Sequence, residues 1–268
     1  MTRRVRMLVR VIAVGVGLYV GACVIVAVAN RMFLFPAPGR ADAIPSDFTT
    51  LEAKTSDGIT ARALRFGPQD AELMVVFFHG NGELAEDNVD IARELASHGY
   101  AVVLAEYRGY GISRRAGKSS ERGLYADAEA ILEGLGVPPE RVVLMGFSLG
   151  TGVAVEMASR GRGRALVLLA PYTSIPNVAA HHVPFLPMHL LMRDKLDSQS
   201  KAAAITLPVF VAHGDADEVV PFDMGETLAH TFPHGHLVTV PHAHHTDMFA
   251  TDDHLMKKIV DFLIDVTP

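Results

Sequence analysis

Apolar residues follow three rhythms along this chain, and each predicts a different element. The first is a continuous run: Val11 to Ala29 holds 19 uncharged, mostly apolar residues. As a helix rising 1.5 Å per residue it reaches about 28 Å, roughly the hydrocarbon thickness of a bilayer. The second is a series of short apolar blocks: Leu73–Phe78, Tyr100–Ala105, Val142–Met145, Ala165–Leu169, Val209–Ala212 and Leu237–Val240. Blocks without alternation predict strands buried on both faces. The third is the helical period. Leu84–Ser97 shows it up to a stop at Gly99, as do Thr251–Val266 and Ser120–Leu135, the last with Leu124, Ala128, Ile131, Leu132 and Leu135 on one face. Phe48–Lys54 and Ile59–Phe66 flank Ser56-Asp57-Gly58 and predict a β-hairpin ahead of the first block.

Strands alternating with helices after an opening hairpin predict an α/β fold with a mostly parallel central sheet covered on both faces. The expected organisation is a membrane anchor or signal segment at 1–29, a linker at 30–47 with Pro36, Pro38, Gly39 and Pro45, and one α/β domain at 48–268. Residues 172–206 form the longest insertion between strands and predict a short apolar cap.

Charge adds direction to this outline. Arg3, Arg4, Arg6 and Arg10 precede the apolar run and Arg31 follows it. That bias favours a single-pass membrane protein with a cytoplasmic N-terminus and an extracytoplasmic domain. Two rival readings fit the same segment. Ala27-Val28-Ala29 has the form of a signal-peptidase site, and Val20-Gly21-Ala22-Cys23 weakly resembles a lipoprotein box, although the apolar run continues past the cysteine. The net charge of −6 is spread over the chain, which argues against a nucleic-acid surface. Cys23 is the sole cysteine, so an intrachain disulfide and a cysteine zinc site are both excluded.

Ligands of such sheets bind beyond the carboxyl ends of the strands, and the chemistry-bearing residues lie there. Val142–Met145 leads into Gly146-Phe147-Ser148-Leu149-Gly150, a G-x-S-x-G sequence that predicts a sharp strand-to-helix turn lifting the Ser148 hydroxyl clear of the sheet. His79-Gly80-Asn81-Gly82 follows Leu73–Phe78. Its turn offers the Asn81 backbone N–H as an oxyanion donor beside that of Leu149. His213-Gly214-Asp215-Ala216-Asp217-Glu218 follows Val209–Ala212, with Asp217 favoured over Asp215 as the acid and Glu218 expected in solvent. Pro241-His242-Ala243-His244-His245-Thr246-Asp247 follows Leu237–Val240, with His245 the expected base and His244 its rival. The order Ser, Asp, His is that of G-x-S-x-G hydrolases. The histidine cluster lacks the spacing of a metal site, so neither a metal nor a cofactor is expected. His79, Tyr172, Phe185, Met188 and Met192 are candidate pocket residues, and an apolar, Met-containing cap suits an acyl chain.

Together these residues resemble the α/β-hydrolase superfamily over roughly 32–266. Within it, the chain is similar to the membrane-anchored branch that includes lysophospholipase-like and depalmitoylase-like members. The likeness rests on His79-Gly80-Asn81, Tyr107-Arg108-Gly109-Tyr110-Gly111-Ile112-Ser113, Gly146–Gly150, Pro171-Tyr172-Thr173-Ser174, Gly214-Asp215-Ala216-Asp217 and His245-Thr246-Asp247. The anchor followed by Phe33-Leu34-Phe35-Pro36 also fits. The resemblance implies Ser148 as nucleophile, Asp217 as acid and His245 as base. Three positions depart from the branch's usual pattern: Glu106 in place of aspartate, His244 in place of glycine and Thr246 in place of asparagine. The implied function is a serine hydrolase of carboxylic esters or thioesters, acting on a small ester or lipid at a membrane. An aminopeptidase-like amide hydrolase and a non-catalytic binding protein on the same fold are the alternatives.

Overall fold

The computed structural model describes residues 2–39 and 43–267; positions 40–42 of the expected linker lie outside the described residues. Helix α1 (Arg3–Leu34) takes up the long apolar run and continues past Ala29. It continues because its last turn has partners. Asn30 is buried, its Nδ2 donating to the carbonyls of Val26 (3.0 Å) and Ala27 (2.9 Å). Arg31 pairs with Asp194 through Nε (2.5 Å) and Nη2 (3.0 Å). Leu34, Phe35 and Phe48 are buried against the domain. The stretch read from its prolines as a linker is therefore packed down at its N-terminal end, while residues 43–47 lie mostly exposed before buried Phe48.

Among the described residues, eight strands form one sheet: β1 (Thr49–Lys54), β2 (Thr60–Phe66), β3 (Met74–Phe78), β4 (Ala101–Glu106), β5 (Val142–Phe147), β6 (Ala165–Leu169), β7 (Val209–Gly214) and β8 (Gly235–Val240). Their order is β1-β2-β4-β3-β5-β6-β7-β8. The β1–β2 and β2–β4 pairs are antiparallel, and every later pair is parallel. The apolar blocks are strands for the expected reason. All five residues of β3 are buried, with Met74, Val76 and Phe78 facing one core and Val75 and Phe77 the other.

Helices α3 (Glu121–Gly134), α4 (Leu149–Ser159) and α8 (Phe222–Thr231) cover the first face, and α2 (Val89–Ser97) and α10 (Leu255–Asp265) the second. The Ser120 hydroxyl caps α3 by accepting the Gly123 N–H at 3.1 Å, a contact worth about 1 kcal/mol. Two predicted helices are shorter than their periodicity suggested. Ala85–Asn88 is a 3₁₀ turn before α2, where Asn88 Nδ2 donates to the Leu84 carbonyl. The closing helix is split into α9 (Met248–Thr251) and α10, because Asp252 accepts from the His254 N–H (2.9 Å) and from Lys258 Nζ (2.6 Å). In both places a short polar side chain competes with the helical ladder. The cap carries α5 (Ile175–His182), α6 (Met188–Leu191) and α7 (Gln199–Ala202) between β6 and β7.

Candidate active site

Register brings the strand ends together. Phe78 pairs with Gly146, so the loop after β3 lies beside the turn after β5, and Gly214 pairs with Val240, so the loops after β7 and β8 are neighbours. At the β5–α4 turn Ser148 has φ 48° and ψ −117°, a left-handed conformation that costs a non-glycine residue of order 1–3 kcal/mol. The flanking glycines are required by contact. A Cβ on Gly150 would overlap the Phe78 carbonyl oxygen, and one on Gly146 would lie 2.5 Å from the Gly150 oxygen.

His245 Nε2 lies 2.9 Å from Ser148 Oγ, and its Nδ1 lies 2.7 Å from Asp217 Oδ2. Because an ionised carboxylate only accepts, Nδ1 carries the proton and Nε2 is free to accept the serine proton. Asp217 Oδ1 accepts from the Val219 and Val220 N–H groups, both at 2.8 Å. Burial works to raise the Asp217 pKa, but bonds from His213, His245 and the backbone outweigh it and hold the group well below the usual carboxylate range. Asp217 is thus a fixed anion beside the imidazole. The rivals point elsewhere. Asp215 Oδ1 accepts the His242 N–H at 2.6 Å, and exposed His244 pairs through Nδ1 with Glu218 Oε2 at 2.9 Å. Glu218, expected free in solvent, is exposed but has this partner.

Tyr110 steadies the loop after β3, its hydroxyl donating to the Asn81 carbonyl at 2.9 Å. The backbone N–H groups of Asn81 and Leu149 find no acceptor among the described residues, and Leu149 opens α4, whose dipole favours negative charge there. A cavity of about 430 Å³ adjoins Ser148. Of the candidate pocket residues Tyr172, Met188 and Met192 line it, and so do Asn81 and Leu149, named above as oxyanion donors.

Two proposed pocket residues do not line it. Phe185 stands 71% exposed on the outside of the cap. His79 is fully buried beneath the loop, with Nε2 2.9 Å from Glu106 Oε1 and Nδ1 2.8 Å from the Gly80 carbonyl. Its place after a buried strand suggested the pocket, but the carboxylate below it turns the ring into the core.

Two contributors escaped the sequence reading. His213 is buried against Asp217, its Nε2 3.1 Å from Oδ2 and 3.0 Å from the Val220 carbonyl. Two acceptors facing one nitrogen place the proton on Nε2. Its position as the last-but-one residue of β7 was the available signal. The other is α1, whose Val26, Asn30, Phe33 and Leu34 form one wall of the cavity; no local pattern announces so distant a contact.

Glu86 sits near the His79–Glu106 pair, buried, with neither carboxylate oxygen bonded among the described residues. Burial, helped by the nearby Glu106 charge, raises its pKa to about 7. The native state thus holds this proton over a pH range where the unfolded chain, with a glutamate near 4.5, has lost it. Stability falls as pH rises from about 4.5 to about 7 and is then level. Glu86→Gln is expected to stabilise the protein at pH 8 by up to about 3 kcal/mol, with the gain vanishing toward pH 4.5. Urea unfolding at the two pH values measures it, and an equal gain at both would refute the assignment.

Comparisons with known proteins show the family. An uncharacterized protein of Mycobacterium tuberculosis is 34% identical over 245 residues, covering 85% of this chain and 84% of its own. The chain belongs to the α/β-hydrolase superfamily. Residues 69–196 of this hydrolase match the family described as serine aminopeptidase, S33. The lysophosphatidylserine lipase ABHD12 of Danio rerio is 31% identical over 183 residues, 60% of this chain; the chain covers 47% of that longer protein. The Pyrococcus furiosus esterase Pf2001 superposes with a TM-score of 0.70 over 87% of this chain and 98% of its own, at 17% identity. The protein is a hydrolase of this superfamily.

Proposed function

We propose that this hydrolase is a membrane-anchored serine esterase or thioesterase acting on a lipid-like acyl substrate. The observation that carries the reading is the bonded chain Ser148–His245–Asp217 opening onto an apolar cavity. In the proposed reaction His245 Nε2 takes the Ser148 proton as Oγ attacks the acyl carbonyl, and Asp217 stabilises the imidazolium. The Asn81 and Leu149 N–H groups hold the tetrahedral oxyanion. His245 then protonates the departing alcohol or thiol, leaving an acyl-serine. Water attacks the acyl-serine, giving its proton to His245, and the free acid leaves with Ser148 restored. Helix α1 is long and apolar enough to cross a membrane. As an uncleaved anchor it would hold the site at a bilayer surface, with the N-terminus cytoplasmic and the domain outside. The lipase activity in the name of the Danio rerio relative is in keeping with such a substrate.

The S33 aminopeptidase likeness favours a second reading, amide hydrolysis at a free amine. That chemistry calls for a carboxylate facing the amine, and no Asp or Glu lines the cavity among the described residues. The deciding experiment compares 4-nitrophenyl esters of rising acyl length with aminoacyl amides, using full-length protein in detergent. Turnover rising from acetyl to longer chains supports the lipid reading. A preference for acetyl, or for the amides, would overturn it.

A further inference from the structure

Helix α1 is bonded to the cap at three points in its second half. The Tyr19 hydroxyl donates to the Phe185 carbonyl at 3.1 Å, and Asn30 Nδ2 contacts the Leu191 carbonyl at 3.4 Å. At the base, Arg31 grips Asp194, which also accepts the first N–H of α3, from Glu121, at 2.9 Å. Tyr19 and Asn30 lie about 16 Å apart along a helix of this kind. Tyr19 falls near the middle of the uncharged stretch Val11–Ala29. A cap fastened at that level reaches about half a bilayer thickness beyond the Arg31 end.

The cap's composition suits that depth. From Val183 to Met192 no residue carries a fixed charge, and the charges resume together at Arg193, Asp194 and Lys195, level with Arg31. Phe185 and Leu190 turn outward, 71% and 85% exposed, an arrangement unfavourable in water and favourable in hydrocarbon. Backbone polar groups in hydrocarbon must be satisfied within the protein. Pro184 and Pro187 have no N–H, and the side chains of Tyr19 and Asn30 serve two cap carbonyls. The same helix supplies Val26, Phe33 and Leu34 to the cavity beside Ser148.

We infer that the Val183–Met192 segment is embedded with α1 in the bilayer leaflet nearest the domain, and that α1 forms the acyl-chain wall of the Ser148 cavity. A single long acyl chain enters sideways from the leaflet, between α1 and the cap, with its ester left at the polar end near Ser148. The second part rests on the proposed esterase function; the embedding rests only on the proposed uncleaved anchor.

The chain contains no tryptophan, so Phe185→Trp and Leu190→Trp each create a lone tryptophan that can be excited apart from the tyrosines. In full-length protein in phosphatidylcholine vesicles, both are expected to be quenched by lipids brominated on the acyl chains and protected from aqueous acrylamide. Acrylamide quenching without bromine quenching would overturn the embedding, whatever the enzyme hydrolyses. The wall is tested by Val26→Trp, read as the ratio of palmitoyl-ester to butyryl-ester kcat/KM. That ratio is expected to fall roughly tenfold, the effect of about two methylenes excluded from the cavity. An unchanged ratio in a protein whose parent hydrolyses both esters would overturn the wall while leaving the esterase reading intact. A parent inactive on both esters would remove that reading and the wall together.

Discussion

Ser148→Ala is expected to lower kcat for ester hydrolysis roughly 10⁴- to 10⁶-fold and to abolish labelling by a fluorophosphonate. The hydroxyl is the atom His245 Nε2 faces at 2.9 Å, and only 9% of the residue is exposed. Its loss removes the proposed nucleophile while leaving the backbone donors and the cavity in place. Because Ser148 and His245 act on one proton in the proposed mechanism, their effects are not expected to add. His245→Ala alone and the double variant with Ser148→Ala should reach nearly the same residual rate. Equal fluorophosphonate labelling of parent and Ser148→Ala would sink the nucleophile assignment. Additive losses in the pair would argue that the two residues act in separate steps.

The largest expected loss of stability lies elsewhere, at Arg108. Its Nη2 and Nε lie 2.7 and 3.0 Å from Asp127 Oδ1, its backbone N–H donates to Asp127 Oδ2 at 2.9 Å, and Nη1 reaches Asp57 Oδ2 at 2.6 Å. The guanidinium thus ties the loop after β4 to α3 and to the β1–β2 turn. Burial keeps the Asp127 pKa above its ordinary value even with these bonds opposing it. Arg108→Met leaves that carboxylate buried with its main partner gone, an expected cost of about 3–5 kcal/mol. Urea unfolding at neutral pH measures it. Pairing the change with Asp127→Leu should recover much of the loss, since no buried charge is then left alone. A loss below about 1 kcal/mol for Arg108→Met would show that water reaches Asp127 and that the pair is not structural.

These two residues also show what could be read before the fold was known. Ser148 was legible because a G-x-S-x-G sequence after an apolar block makes a local demand: two glycines where neighbouring backbone comes too close for a Cβ. Asp217 and His245 were legible by position, each just past a strand end. Separating them from Asp215 and His244 took the structure, because all four lie on loops whose side-chain directions have no sequence period. Arg108 was visible only as part of a motif, and its partners, 19 and 51 residues away, were not legible. His79 misled because position after a strand does not reveal the buried Glu106 that turns the ring inward.

By itself the sequence determined the alternation of buried strands and helices, the sharp turn at Ser148 and an apolar N-terminal helix of bilayer length. These follow from period, local sterics and hydrophobicity, which act between near neighbours. Only the tertiary structure decided which carboxylate faces His245 and that α1 lies against the cap. It also decided that α1 walls the cavity. Tyr19 and Phe185 meet across 166 residues, and such a contact is set by how whole elements dock, which no short stretch of chain encodes.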